Sequence, residues 1–254
     1  MIERFRTLRL PMRVLLGLLL GLTSIILLVA LIFLSLLNLP YWRAIWDASD
    51  PTGQEMSADL IAIPRDDSLV WEGEPDDGRL LVVTWASKEE SFHKGDEGDS
   101  LRPGDSFKTD EDVWVTVVPQ LQTVCRKIRP ECSGSALRLK QLLGLPPYAQ
   151  KTQFVEYWVS PSDLFRPCRD PAINDTVCNL KFPKNVDRDR RNYIEWFHDQ
   201  QKRSYGLLGH PWTQLGYTYD WGNPRSEIGP SEFVIEEGAN VEVESVGTTD
   251  SYLR

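Results

Sequence analysis

Histidine is scarce in this chain, and only His93, His198 and His210 occur among its 254 residues. Neither the H-E-x-x-H arrangement of zinc enzymes nor another recognised metal-ligand spacing includes them, and no G-x-S-x-G pattern surrounds Ser204. Walker-type and dinucleotide-binding glycine patterns are also absent. The sequence therefore contains no recognised catalytic or metal motif, and we predict no cofactor and no metal.

Net positive charge is missing beyond the N-terminus. Four arginines precede residue 14, and Glu3 is the one acid there. Subtracting these from 28 cations and 37 acids leaves 24 cations and 36 acids, so residues 40–254 carry a formal charge of −12. That charge would repel a phosphate backbone, because nucleic-acid binding depends on clustered lysine and arginine. We therefore exclude nucleic acid as a partner.

An uncharged apolar run extends over 14–39. Its 26 residues would reach about 39 Å as a helix, at roughly 1.5 Å per residue, which exceeds the ~30 Å hydrocarbon core of a bilayer. A cleaved secretory signal is the alternative, but its apolar region usually has about 7 to 15 residues and ends at a small-x-small site. The sequence at 35–40 offers no Ala-x-Ala. We expect an uncleaved signal anchor that forms one transmembrane helix at 14–39, with the lipid bilayer as a partner.

The flanks of this run predict its orientation. The basic segment 1–13 should stay in the cytoplasm, since arginines concentrate on the cytoplasmic side of membrane helices. The expected localisation is a single-pass membrane protein whose C-terminal domain is extracytoplasmic, either periplasmic or extracellular. Gly17 and Gly21 have the G-x-x-x-G spacing with which membrane helices can pack, so a homodimer is a further expectation. The flanking residues behind this orientation are Arg4, Arg6, Arg9 and Arg13 before the run, and Tyr41, Trp42 and Trp46 at the outer headgroup level.

All four cysteines lie beyond the apolar run, as the close pairs Cys125 with Cys132 and Cys168 with Cys178. An even number of cysteines in an exported chain favours disulfides. Four cysteines allow three pairings, which the sequence does not separate, although pairing within each close pair would close a loop rich in turn formers. A four-thiolate zinc site requires C-x₂₋₄-C pairs, and spacings of seven and ten do not fit it. We therefore predict disulfides.

The part beyond the apolar run divides by composition. Residues 40–78 are rich in proline, glycine and acids, which predicts a juxtamembrane stalk or an irregular lead-in. Residues 79–254 form the expected extracytoplasmic domain, and within them the nine acids of 87–112 predict an acidic loop. The acids at 96–99 lack the EF-hand spacing, so a solvated loop is favoured over a calcium site.

Short β-branched and aromatic runs bounded by turn residues predict strands, and apolar residues at spacings of three and four predict helices. No repeat of 20–50 residues is visible. The sequence thus predicts an α+β class: a single N-terminal transmembrane helix, followed by one exported α+β domain with a mainly antiparallel sheet. The predicted elements are strands at 80–85, 113–118 and 154–159, helices at 120–129, 135–143 (capped by Ser135) and 189–205, and a C-terminal hairpin of 232–236 with 241–246.

Aromatic residues concentrate in the segment 209–222. As a strand it would place Leu215, Tyr217, Tyr219 and Trp221 on one face, because successive side chains alternate. That face could stack a sugar ring or an aromatic ligand, with polar groups nearby. The alternative is the core side of a sheet, which is the commoner fate of aromatic residues. The candidate ligand-binding residues are His210, Trp212, Tyr217, Tyr219, Asp220 and Trp221.

These features together predict a membrane-anchored extracytoplasmic domain that is not an enzyme and binds a partner protein or an envelope component such as a carbohydrate. The alternative is a membrane-anchored hydrolase that uses His198, His210 and Asp220, which requires these residues to converge in one cleft. Asn174 begins an N-x-T acceptor pattern for N-glycosylation, which matters only in a host that glycosylates exported proteins.

Overall fold

The computed structural model describes most of the chain, which divides into two compact units, Met1–Pro40 and Tyr41–Arg254. Four expected features lie wholly or partly outside the described residues: nearly all of the basic N-terminus, half of the acidic loop, His93, and the start of the helix expected at 189–205. The described residues are 12–37 (side chains at 14 and 16–32), 39–75, 77–87, 101–128, 132, 135–186, 192–206 and 208–253.

A helix, α1, occupies Met12–Leu37 in the first unit, as expected for a run of good helix formers without an internal proline. Among the described residues, no helix is both long and apolar enough to cross a membrane. The predictions of a transmembrane helix at 14–39 and of a single-pass membrane localisation are wrong on this finding.

The expected dimer contact lies on α1. No atom comes within 4 Å of the place that a Cβ would take at Gly17 or Gly21. No contact among the described residues therefore requires either glycine, and the homodimer stays a prediction.

The second unit is built around an eight-stranded sheet, in the order β3-β10-β5-β2-β4-β9-β6 with β1 beside β2; the remaining pair, β7 and β8, forms a small sheet of its own. Every pairing is antiparallel. This confirms the predicted α+β class with a mainly antiparallel sheet. In chain order, the strands are β1 (Trp71–Glu72), β2 (Arg79–Ala86), β3 (Ser106–Lys108), β4 (Val113–Val117), β5 (Gln153–Val159), β6 (Leu164–Phe165), β7 (Tyr217–Tyr219), β8 (Ile228–Ser231), β9 (Phe233–Ile235) and β10 (Asn240–Thr248).

The central strand β2 is buried on both faces of the sheet. Leu80 and Val82 belong to the first core, on one face of the sheet. Leu81 and Val83 belong to the second core, on the other face, because successive side chains of a strand point to opposite sides. β2 pairs with β5 in a register that sets Leu80 opposite Val159. A continuous apolar run without alternation therefore predicted this strand correctly, since both of its faces are covered.

Helices cover one face of the sheet and extend the second core. Leu139 of helix α4 (Ala136–Leu142) lies in this core with Leu81. The disulfide Cys125–Cys132 connects helix α3 (Gln120–Lys127) to the chain that precedes α4. Ser135 caps α4 as predicted, because its hydroxyl accepts a hydrogen bond from the Arg138 N–H at 3.4 Å. Beyond α1, the helices are α2 (Leu39–Ala48), α3 (Gln120–Lys127), α4 (Ala136–Leu142), α5 (Tyr193–Ser204) and α6 (Thr249–Tyr252).

The predicted C-terminal hairpin does not form. β9 pairs with β4 and β6, whereas β10 pairs with β3 and β5, so three strands separate them in the sheet. Phe233 and Val241 nevertheless share the first core. The alternation of apolar and polar residues thus identified the buried face of each strand, but it contains no information on the neighbour of that strand.

Two further cores lie beside the sheet. α5 buries Tyr193 and Phe197 in one of them, which confirms the described part of the helix predicted at 189–205. The other core contains the disulfide Cys168–Cys178. Each disulfide therefore joins the members of one close pair, which is consistent with an exported domain.

Candidate functional site

From Tyr41 onward, α2 packs on the second unit. Its buried positions are Tyr41, Ala44, Ile45 and Ala48, which form one stripe of an amphipathic helix. The Tyr41 hydroxyl donates a hydrogen bond to the Gly209 carbonyl at 2.6 Å. Tyr41 therefore belongs to the protein core and not to a headgroup region, in contrast to the interpretation drawn from the sequence.

A polar network fixes the end of α2. The side-chain N–H groups of Gln214 donate to the carbonyls of Ala48 and Ser49 at 3.1 and 3.4 Å, and lie 2.7 Å from the Tyr205 hydroxyl. The Gln214 side-chain oxygen accepts from Gln201 at 2.8 Å. Gln214 is completely buried and has a left-handed backbone, with φ of 60°. Such a conformation is uncommon outside glycine, and here it aims the amide at α2.

Three of the predicted ligand residues are buried and satisfied within the protein. The Trp212 indole N–H donates to the Pro167 carbonyl at 3.0 Å, and the Tyr217 hydroxyl donates to the Glu55 carbonyl at 2.8 Å. Asp220 accepts two hydrogen bonds from the Arg138 guanidinium, at 2.8 and 2.7 Å. These three side chains hold the fold around the segment 209–222, as the core interpretation of this segment expected.

Tyr219 and Trp221 remain half-buried, and a third aromatic residue lies close by. The Trp221 ring packs edge-on against Tyr41 with centroids 5.5 Å apart, and its N–H donates to the Leu145 carbonyl at 3.1 Å. Tyr148 is 53% exposed. Burial, and then the neighbouring Tyr148 hydroxyl, raise the pKa of Tyr41. We call Tyr148, Tyr219 and Trp221 the aromatic surface; Tyr148 and Trp221 are neighbours of the buried Tyr41.

Three carboxylates border the aromatic surface: Asp47, Glu55 and Glu227. The Tyr219 hydroxyl donates to the Asp47 carboxylate, at 2.5 Å. Burial, then the contact with Asp47 and the charges of Glu227 and Glu55, raise the pKa of Tyr219. The local field at this surface is therefore negative.

His210 lies in a separate place, at the end of α5. Its Nε2 is 3.5 Å from the hydroxyl of Ser204, and its ring meets Trp114 edge-on at 6.2 Å. Burial lowers the pKa of His210 to about 4, so the ring is neutral at pH 7. Ser204 is fully buried and accepts a hydrogen bond from Gln200 at 3.1 Å. A serine nucleophile must meet its substrate, so this pair as it stands supports packing better than catalysis.

The low pKa of His210 should make the stability of the protein depend on pH. In the unfolded chain His210 takes up a proton near pH 6.5, whereas the folded protein resists protonation until about pH 4. The stability that neutral His210 provides is therefore lost as the pH falls between these values, by about 2 kcal/mol after allowing for solvent screening of a half-buried ring. Urea denaturation at pH 7 and pH 4.5 should show that His210→Gln loses less stability than the wild type. The same variant at exposed His198 is the control, and equal losses in all three proteins would contradict the prediction.

The residues of the predicted hydrolase have separate partners. His198 is exposed and its Nδ1 lies 2.9 Å from Gln201, His210 contacts Ser204, and Asp220 is paired with Arg138. The structure thus shows no contact among the three. In the described part of the chain, no group of three or more histidine, cysteine, aspartate or glutamate residues could hold a metal ion.

Arg166 is a structural centre that the sequence did not reveal. It is completely buried, and its N–H groups donate to the carbonyls of Ala172, Ile61 and Asp175 at 3.1, 3.0 and 2.9 Å. Burial lowers the pKa of Arg166 to about 10, with the charge of Asp175 opposing that effect. A Cβ at Gly216, whose φ is +76°, would fall 2.5 Å from the Arg166 Cδ. Gly216 is far from Arg166 in the sequence, so no local pattern could have indicated this contact.

The comparisons with known proteins add no family. No family model matches the chain, and searches of curated proteins and of solved structures return no match.

Proposed function

We propose that the unit Tyr41–Arg254 is an exported binding domain without a catalytic role, and that its aromatic surface contacts a partner protein. The observation that carries this proposal is the exposure of Tyr148 beside the half-buried Tyr219 and Trp221. Tyrosine and tryptophan are enriched among the residues that dominate binding energy at protein interfaces. The two disulfides support the exported part of the proposal.

The surroundings of the aromatic surface favour binding. Trp221 is held by the Leu145 carbonyl and by Tyr41, and the neighbouring Asp220 is locked by Arg138. Side chains fixed before association lose little conformational entropy when a partner arrives. The side chains of Trp221 and Asp220 are thus held in place before a partner binds. A patch of aromatic residues that only faces solvent would not need such contacts.

The geometry gives less support to the hydrolase. Catalysis by a serine and a histidine needs a nucleophile that substrate can reach and a histidine oriented by a third group. Ser204 is fully buried, and among the described residues no acid contacts His210. Partner binding would use side chains that are already exposed. Hydrolysis would require a conformational change that exposes the buried Ser204 to the substrate.

Site-specific photo-crosslinking in the native host tests the proposal. A photoreactive phenylalanine at position 148 of the full chain should give a discrete protein adduct on illumination. The matched control is position 70, because Val70 is also an exposed apolar side chain, at 37% exposure. Absence of an adduct at 148, or the same adducts at both positions, would overturn the proposal. An adduct that contains carbohydrate and no peptide would replace the partner protein by a sugar.

A further inference from the structure

The carboxylates around the aromatic surface suggest the chemistry of its partner. Asp47 reaches this surface from α2, where it accepts the Tyr219 hydrogen bond. The Glu55 backbone carbonyl accepts from Tyr217, and the Glu227 carbonyl accepts from the Asp220 N–H at 2.7 Å. The carboxylate of Asp47 and the backbones of Glu55 and Glu227, from three different segments, therefore contact residues of 217–221.

Several other acids of the unit lie in ion pairs. Glu72 and Glu242 pair with Arg79, and Asp199 pairs with Lys202. Within the described ranges, no ion pair involves Asp47, Glu55 or Glu227. These acids therefore add negative charge beside a surface that also exposes aromatic rings, and a cation of a partner would be attracted to it.

We propose, as a refinement that rests on the proposed function, that the aromatic surface binds a segment of the partner protein containing arginine or lysine. Aromatic faces attract arginine and lysine cations through their ring quadrupoles. Carboxylates accept charge-assisted hydrogen bonds from the same side chains, and arginine satisfies both requirements in one residue. The formal charge of −12 over 40–254 would also steer a basic segment toward the unit.

Fluorescence anisotropy with labelled peptides tests this preference on the purified full-length chain. The probes are a peptide of alternating arginine and glycine, its lysine counterpart and its glutamate counterpart, each measured at low and physiological salt. We expect saturable binding of the arginine peptide, weaker binding of the lysine peptide, and none of the glutamate peptide. Salt should weaken binding, because exposed charges are screened.

Two double variants distinguish the effect of acids at the aromatic surface from the effect of the overall negative charge of the protein. Glu55→Gln with Glu227→Gln removes two acids at the aromatic surface, and should weaken binding of the arginine peptide about fivefold. Glu74→Gln with Asp110→Asn removes the same charge from two exposed residues elsewhere, and should leave the dissociation constant within about twofold, since distant exposed charges are screened. Circular dichroism and thermal melting establish that both proteins are folded.

Each result bears on the inference. Equal weakening by the two double variants, or no saturable binding of the arginine peptide to the wild type, would overturn it. Tyr148→Ala should weaken binding of the arginine peptide as well, because the ring supplies one of the two recognition elements. A protein adduct from position 148 together with no preference for basic peptides would remove this inference and leave the proposed function standing.

Discussion

Replacing Arg166 by methionine should lower the free energy of unfolding by about 3 kcal/mol. Methionine fills similar space, but it leaves the carbonyls of Ala172, Ile61 and Asp175 without a donor in the interior. Loss of a buried partner is costly because the remaining polar group cannot return to water. Urea denaturation followed by tryptophan fluorescence measures the change.

Arg79→Met is the matched control for this substitution. Arg79 pairs with Glu72 and Glu242, and its side chain is 35% exposed. Exposed ion pairs contribute little, so this variant should lose less than about 1 kcal/mol. If the two arginine variants lost equal stability, the buried hydrogen bonds of Arg166 would not be the source of its effect.

Asp220→Asn should also destabilise the protein strongly, by about 3 kcal/mol. The Asp220 side chain is 3% exposed and that of Arg138 is 12% exposed, and two hydrogen bonds join them. An asparagine keeps one acceptor, but it turns an N–H toward the guanidinium and removes the negative charge that pairs with Arg138 at this point. Because Asp220 separates Tyr219 from Trp221, the arginine peptide should also bind this variant more weakly than the wild type.

A double-mutant cycle isolates the pair. Arg138→Met alone should cost stability, and adding it to Asp220→Asn should cost clearly less than the sum of the two single losses, because both remove the same interaction. Asp199→Asn, at the exposed pair with Lys202, is the control and should leave the unfolding midpoint unchanged. Additive losses at Asp220 and Arg138 would contradict a direct coupling.

The central strands could be predicted from the sequence, but the order of strands could not. The runs in β2, β4 and β5 are rich in β-branched and aromatic residues and are bounded by turn formers, so their strand character is local. The neighbour of each strand, in contrast, depends on all the other strands with which it could pair. The expected neighbours β9 and β10 are separated because each pairs with strands that are distant in the sequence. The alternation of apolar and polar residues does not indicate which of these pairings is preferred.

The candidate site was predictable only in part. The segment 209–222 was identified from its aromatic residues, yet Trp212 and Tyr217 are buried and only Tyr219 and Trp221 reach the surface. An aromatic ring needs apolar surroundings whether it faces a lipid, a ligand or its own core, so composition does not separate these cases. Tyr148 was missed because it stands alone in a turn, where no spacing indicates its neighbours.

The strand order also determines when this unit can fold. Along the main path of the sheet, no two neighbouring strands are consecutive in the chain, and β10 lies between β3 and β5. Each pairing must therefore close a long stretch of polypeptide, which slows folding relative to a fold built from hairpins. During synthesis the partner of β5 on that side emerges only near residue 248. The sheet is thus completed only when β10 is available, and the edge of β5 that β10 covers stays unpaired until then.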